Sequence, residues 1–123
     1  MKPVILVVED NPLNAELLSS WLEMEGYEVV AGDGLEQAIA VLRSDQPALV
    51  LLDIGLGSDD GLSLVSWMRA QPALRPTPVI AVSAHAMVTD QQRMLDAGCR
   101  AFIAKPINFD QLRKEMRRLL PAE

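Results

Sequence analysis

Three short runs of branched aliphatic residues do most to limit what this chain can become: Val4-Ile5-Leu6-Val7-Val8, Leu49-Val50-Leu51-Leu52 and Val79-Ile80-Ala81-Val82. None carries a polar residue at alternate positions, so none can be a strand with one wet face. Each is too short for a buried helix and rich in residues that suit a pleated surface. Such runs read as strands covered on both sides, which is the habit of parallel sheets. Strands are therefore expected at 4–8, 27–31, 48–52, 78–82 and 100–104. The second, Tyr27-Glu28-Val29-Val30, alternates more and suits a sheet edge.

Helical patterns fill the intervals. Leu13, Leu17, Leu18, Trp21 and Leu22 form one apolar stripe, opened by Asn11-Pro12 and closed by Gly26. Leu35, Ala38, Ile39 and Leu42 form a second that ends before Pro47, and Leu62, Val65 and Met68 a third stopped by Gln71-Pro72. A weaker helix runs from Val88 to Ala97 with Gly98 as its stop, and Phe109, Leu112, Met116, Leu119 and Leu120 define the last. Trp21 and Trp67 read as packing or surface residues rather than a stacking platform. Five strand–helix units with short connections predict an α/β fold: a doubly wound, five-stranded parallel sheet with five helices on its two faces. The common order for five strands is 2-1-3-4-5, and ligands then bind where the order reverses, between strands 1 and 3.

The chain's 123 residues suit one domain spanning 1–123. A net charge of −6 argues against general affinity for nucleic acid or anionic lipid. No window approaches the roughly 18 apolar residues of a membrane helix, and no signal-peptide pattern opens the chain. The single cysteine, Cys99, cannot make an internal disulfide; it reads as a small core residue, and a reducing cytoplasm is the expected location.

The chemistry gathers where the apolar runs stop. Glu9 and Asp10 follow the first strand and Asp53 the third, on the two loops that flank the switch point. Adjacent carboxylates at a strand end point in different directions and can hold a cation from two sides. Mg2+ uses one or two carboxylates, several waters and phosphate oxygens, and it would relieve the mutual repulsion of three acids. Alone, Glu9-Asp10 would do no more than solvate a strand end; with Asp53 at the neighbouring strand the metal reading is preferred. Asp53 opens the loop Ile54-Gly55-Leu56-Gly57-Ser58-Asp59-Asp60-Gly61, and the Gly55 carbonyl can reach the same ion. Ser83 ends the fourth strand before Ala84, and its hydroxyl can bond a phosphoryl oxygen. Lys105, just before Pro106, supplies a point charge for a phosphoryl group or the carboxylate beneath it.

The ordered set Glu9-Asp10-Asn11, Asp53 with Gly61 eight residues later, Ser83-Ala84 and Lys105-Pro106 resembles the receiver domain of two-component response regulators, over essentially all of Val4 to Leu120. The resemblance implies a flavodoxin-like fold and Asp53 as acceptor of a phosphoryl group from phosphohistidine on a histidine kinase or phosphotransfer protein. It implies Mg2+ held by Asp10, Asp53 and the Gly55 carbonyl, with Glu9 through water, and phosphoryl oxygens held by Lys105 and Ser83. It further implies a relay in which Ser83 moves towards the phosphoryl group and Phe102 turns inward behind it. The face of the fourth helix, fifth strand and fifth helix would then change its binding to a downstream effector protein. Lys105-Pro106 is typically cis in such domains.

Some positions depart from the family pattern. Gly57 stands where proline is usual, which loosens the loop after Asp53. Phe102 lacks the hydroxyl of the tyrosine found in many relatives. His85, the one histidine, is either a solvated loop residue, the favoured reading, or a group that tunes the lifetime of the acyl phosphate. The resemblance leads to a phosphorylation-activated signalling switch rather than a conventional enzyme, free-standing since Met1 and a complete last helix bound it. It is expected to be a monomer or a phosphorylation-dependent dimer. The alternatives are a receiver excised from a hybrid histidine kinase and, from another class, a phosphohydrolase with an aspartyl nucleophile. The latter usually has a second aspartate two residues after the nucleophile, where this chain has Gly55.

Overall fold

The computed structural model describes residues 2–54, 61–84 and 88–120. The three apolar runs become β1 (Val4–Val8), β3 (Leu49–Asp53) and β4 (Val79–Ser83), and they lie side by side as the middle of one parallel sheet. The alternating segment becomes β2 (Glu28–Gly32) at one edge, and β5 (Ala101–Ala104) closes the other. The order is β2-β1-β3-β4-β5, as anticipated, so the reversal falls between β1 and β3. β2 to β4 each begin and end one residue later than the apolar pattern suggests, and β5 starts one later. Asp53 pairs with Val82, and Ile54 N–H donates to the Val82 carbonyl at 3.0 Å, so the ladder continues through the first polar residue. Pro78 cannot donate, yet its carbonyl accepts from Val50 N–H at 3.0 Å and supports the ladder from outside.

Between the strands run α1 (Pro12–Met24), α2 (Leu35–Ser44), α3 (Leu62–Arg69), α4 (Val88–Ala97) and α5 (Phe109–Leu119). Asn11 caps α1 by accepting from Leu13 N–H and Asn14 N–H, with Pro12 at the first helical position, where no N–H is needed. Asn108 caps α5 through Gln111 N–H. Gly26 and Gly98, after α1 and α4, have φ of +97° and +116°, the left-handed backbone that ends helices at glycine.

The sheet separates two apolar layers. Ile5, Val7, Leu49, Leu51, Ile80, Val82, Ala101 and Ile103 pack against Leu18 and Leu22 of α1 and Leu112 and Met116 of α5. The alternate residues Leu6, Val8, Val50, Leu52, Val79 and Ala81 pack against α2, α3 and Met94 of α4. Cys99 is buried in this second layer, and burial pushes its thiol up to about 11, which fits a core residue. Trp21 sits half-buried on Phe109, ring centroids 5.0 Å apart, and the Arg43 guanidinium lies 5.9 Å from the Trp67 ring; both tryptophans pack as anticipated. The α1 stripe is narrower than its sequence suggests: Leu18 and Leu22 are buried, but Leu13 and Leu17 are 76% and 61% exposed. Successive helical residues turn by 100°, so five apolar residues over three turns cover more of α1 than the sheet can hide. Among the described residues, no helix is long and apolar enough to cross a membrane.

Truncating a fully buried side chain and an exposed one should separate cleanly. Leu6→Ala is expected to lower unfolding stability in urea by about 2–5 kcal/mol, and Leu17→Ala by less than about 0.5 kcal/mol. Equal losses would contradict the layer assignment.

Candidate functional site

Strand alternation decides which side chains meet at the carboxyl edge of the sheet. On β1, residues 5 and 7 face α1 and α5, so the next odd residue, Glu9, falls on that side. The same parity places Asp53 after Leu49 and Leu51, and Lys105 after Ala101 and Ile103. Three chain segments, far apart in sequence, thus deliver two acids and a lysine to one face at one edge. Ser83 follows Val79 and Ala81 on the opposite face of the sheet, the side of Phe102, which packs half-buried against the α2–α4 layer.

The predicted cluster forms. Lys105 Nζ lies 2.8 Å from Asp53 Oδ2 and 3.6 Å from Glu9 Oε1. One carboxylate oxygen from each of Glu9, Asp10 and Asp53 lies within 4.8 Å of the others. Glu9, Asp53 and Ser83 are buried while Asp10 is exposed, so the cluster opens to solvent on the Asp10 side. Ser83 and Lys105 are joined through the backbone: Lys105 N–H donates to the Ser83 carbonyl at 2.9 Å. The Lys105–Pro106 bond is cis. Gly55, Gly57 and His85, to which roles were assigned from sequence, lie outside the described residues.

The electrostatics show an acidic site short of positive charge. Burial raises the Glu9 carboxyl to about 7, with its hydrogen bond to Asp53 adding to the rise; the bond from Asn11 N–H and the charge of Lys105 offset only part. Burial would lower the Lys105 ammonium, but Asp53 and Glu9 outweigh it and hold it above the ordinary lysine value. A divalent cation beside the three carboxylates would supply the missing charge, and hard oxygen donors with an open side suit Mg2+.

Two features of the site were not legible beforehand. A cavity of about 290 Å³ adjoins Glu9, Asp53 and Lys105, walled by Asn14, Leu17, Pro106, Ile107 and Phe109 among others. The exposed Leu17 is the residue a helical-wheel count could have flagged. Gly61, quoted for its spacing from Asp53, proves to have a steric role. A Cβ there would lie 3.1 Å from both the Asp53 carbonyl oxygen and Ile54 Cα, so its absence lets the start of α3 press against the backbone that carries Asp53.

Residues 5–117 match the response regulator receiver domain family. The chain is 41% identical over 109 residues to the polar-differentiation response regulator DivK of Brucella anthropi, covering 88% of each. Among solved structures it resembles the signal receiver domain of a signal transduction histidine kinase from Syntrophus aciditrophicus, with 35% identity, TM-score 0.87 and coverage of 96% of this chain and 89% of that one. It also resembles the response regulator TrrA from Thermotoga maritima, solved in complex with Mg2+–BeF, with 31% identity, TM-score 0.85 and coverage of 98% and 100%. With the acid cluster at the switch point of a 2-1-3-4-5 sheet and these likenesses along nearly its whole length, the chain belongs to the receiver domains of two-component response regulators.

Proposed function

We propose that Asp53 is the phosphoacceptor of this signalling switch, charged by a phosphohistidine on a histidine kinase or phosphotransfer protein. The observation that carries the reading is the contact of Lys105 Nζ with Asp53 Oδ2 at 2.8 Å inside a cluster of three carboxylates. An Asp53 oxygen forms the new P–O bond while the P–N bond breaks, and its electron pair returns to the imidazole. Lys105 and Ser83 bind the phosphoryl oxygens, and the buried floor of β1 and β3 fixes the acceptor's direction, so catalysis is positioning and charge compensation. Glu9, Asp10 and Asp53 would hold Mg2+, which supplies charge neutralisation for the phosphoryl oxygens when bound. The TrrA relative was solved with Mg2+–BeF, which supports the same ligands as probes here.

In this reading the chain is a single receiver unit over 1–123 that acts in the cytoplasm. It catalyses only its own phosphorylation and dephosphorylation, and it signals by binding an effector protein. Ser83 and Phe102 share the sheet face that carries α4, so an inward shift of both would be felt there.

Incubation with acetyl phosphate and Mg2+, followed by intact mass measurement, should show a gain of one phosphoryl group. The gain should vanish in Asp53→Ala and without Mg2+, and should slow by about 10–100-fold in Lys105→Ala. Unchanged labelling of Asp53→Ala would place the acceptor elsewhere.

A pH dependence follows from Glu9. Its folded value of about 7 exceeds the ordinary 4.5, so between those limits the native state holds a proton that the unfolded chain has released. Metal-free protein should therefore lose stability as pH rises from 5 to 8, by on the order of 2 kcal/mol relative to Glu9→Gln. Mg2+ at pH 8 should restore much of it. Urea titrations at both pH values check this; parallel profiles for the two proteins would contradict it.

A further inference from the structure

Arg69, the last residue of α3, is half-buried and directs its guanidinium at backbone oxygens rather than at an acid. Nη1 donates to the carbonyls of Leu74, Arg75 and Thr77 at 3.4, 2.7 and 3.2 Å, and Nη2 to the carbonyl of Gly98 at 2.8 Å. Arg75 Nε returns a bond to the Arg69 carbonyl at 2.9 Å. The rigid fork of a guanidinium can serve several acceptors at once, which an ammonium cannot do with the same geometry.

The acceptor on the far side is the end of α4. Gly98 N–H donates to the Leu95 carbonyl and Cys99 N–H to the Met94 carbonyl, both at 3.0 Å, the paired bonds of a Schellman ending. Gly98 has φ +116°, and a Cβ on it would lie 2.8 Å from Arg69 Nε and 3.3 Å from Val65 Cγ1. Glycine therefore serves twice here, for backbone conformation and for the approach of the arginine. One residue later, Arg100 N–H donates to the Val79 carbonyl at 2.9 Å and starts the pairing of β5.

The first residues of α4 are more exposed. Its one buried residue, Met94, lies in its second half, whereas Val88 is 80% exposed and Thr89 is also exposed. α4 follows Ser83, the strand-end residue beside the acid cluster. A helix fastened at one end and driven from the other behaves as a lever.

We propose that Arg69 and Gly98 form a fixed pivot for α4, so that a change at Ser83 swings its first turn while its last turn keeps its place. Arg69 is thus a positioning residue about one helix length from the end that moves. The ten residues of α4 span about 15 Å, so a rotation of about 10° displaces the first turn by about 2–3 Å. The trigger rests on the proposed phosphorylation of Asp53; the anchor does not.

The test uses spin-label distances with Met24→Cys on exposed α1 as reference, paired with Thr89→Cys or with Asp96→Cys. Cys99 is buried with its thiol held up at about 11 and takes no label. On adding Mg2+ and beryllofluoride, the Thr89 distance should shift by about 2–3 Å and the Asp96 distance by less than about 1 Å. In Arg69→Ala, and in Arg69→Lys should the alanine variant not fold, the Asp96 distance should shift or broaden as well. Without any ligand, amide exchange at Gly98, Cys99 and Arg100 should rise about tenfold in the variant while β1 and β3 amides change far less. Equal shifts at both ends of α4 in the unsubstituted protein, or a uniform rise in exchange throughout the variant, would overturn the pivot. No response to beryllofluoride at any label would count against the phosphoacceptor reading instead, and the ligand-free exchange comparison would still decide the anchor.

Discussion

Three carboxylates share a space in which, among the described residues, a single ammonium group stands close enough to balance them. Burial first, and the neighbouring Asp53 second, raise the Glu9 carboxyl to about 7. What holds the groups together is the apolar mass beneath them: Val8, Leu51, Leu52 and Val82 are almost wholly hidden from solvent. The favourable burial of the central strands supports an unfavourable edge, and a site of this kind is suited to a cation that removes the imbalance.

The parity of the strands gives the edge its division of labour. Odd-numbered residues of β1, β3 and β5 look towards α1 and α5, and Glu9, Asp53 and Lys105 continue those rows. On β4 the alternation is offset, so Ser83 continues the row of Val79 and Ala81, on the side of Phe102 and α4. A one-residue slip of β4 against β3 would place Ser83 among the acids and remove it from the α4 side. Register is thus as decisive for the chemistry as residue identity.

Much of this was legible in the chain. Continuous aliphatic runs gave the central strands, the alternating 27–31 segment gave the edge, and the ordered acids, Ser83 and Lys105 gave the site. Strand limits were displaced because hydrogen bonding runs on through Asp53 and Ser83, where hydrophobicity has already stopped. Leu13 and Leu17 belong to the apolar stripe yet stay exposed, because such a stripe says nothing of how far its neighbours reach. Arg69 went unnoticed because an arginine closing a helix is ordinarily a solvated charge; only the convergence of the α3–β4 loop and the turn after α4 turns it into a clasp. Gly61 was visible by spacing, but its steric reason needs the backbone of Asp53 and Ile54.

The partition between the two apolar layers has a consequence for how such a chain can diversify. Leu18, Leu22, Leu112 and Met116 share no packing layer with Leu62, Val65, Met68 and Met94, since the sheet stands between them. Drift in the first set remodels the wall around the acids and leaves the support of α4 undisturbed; drift in the second does the reverse. Substitutions on one side of the sheet can therefore accumulate without forcing the other side to repack.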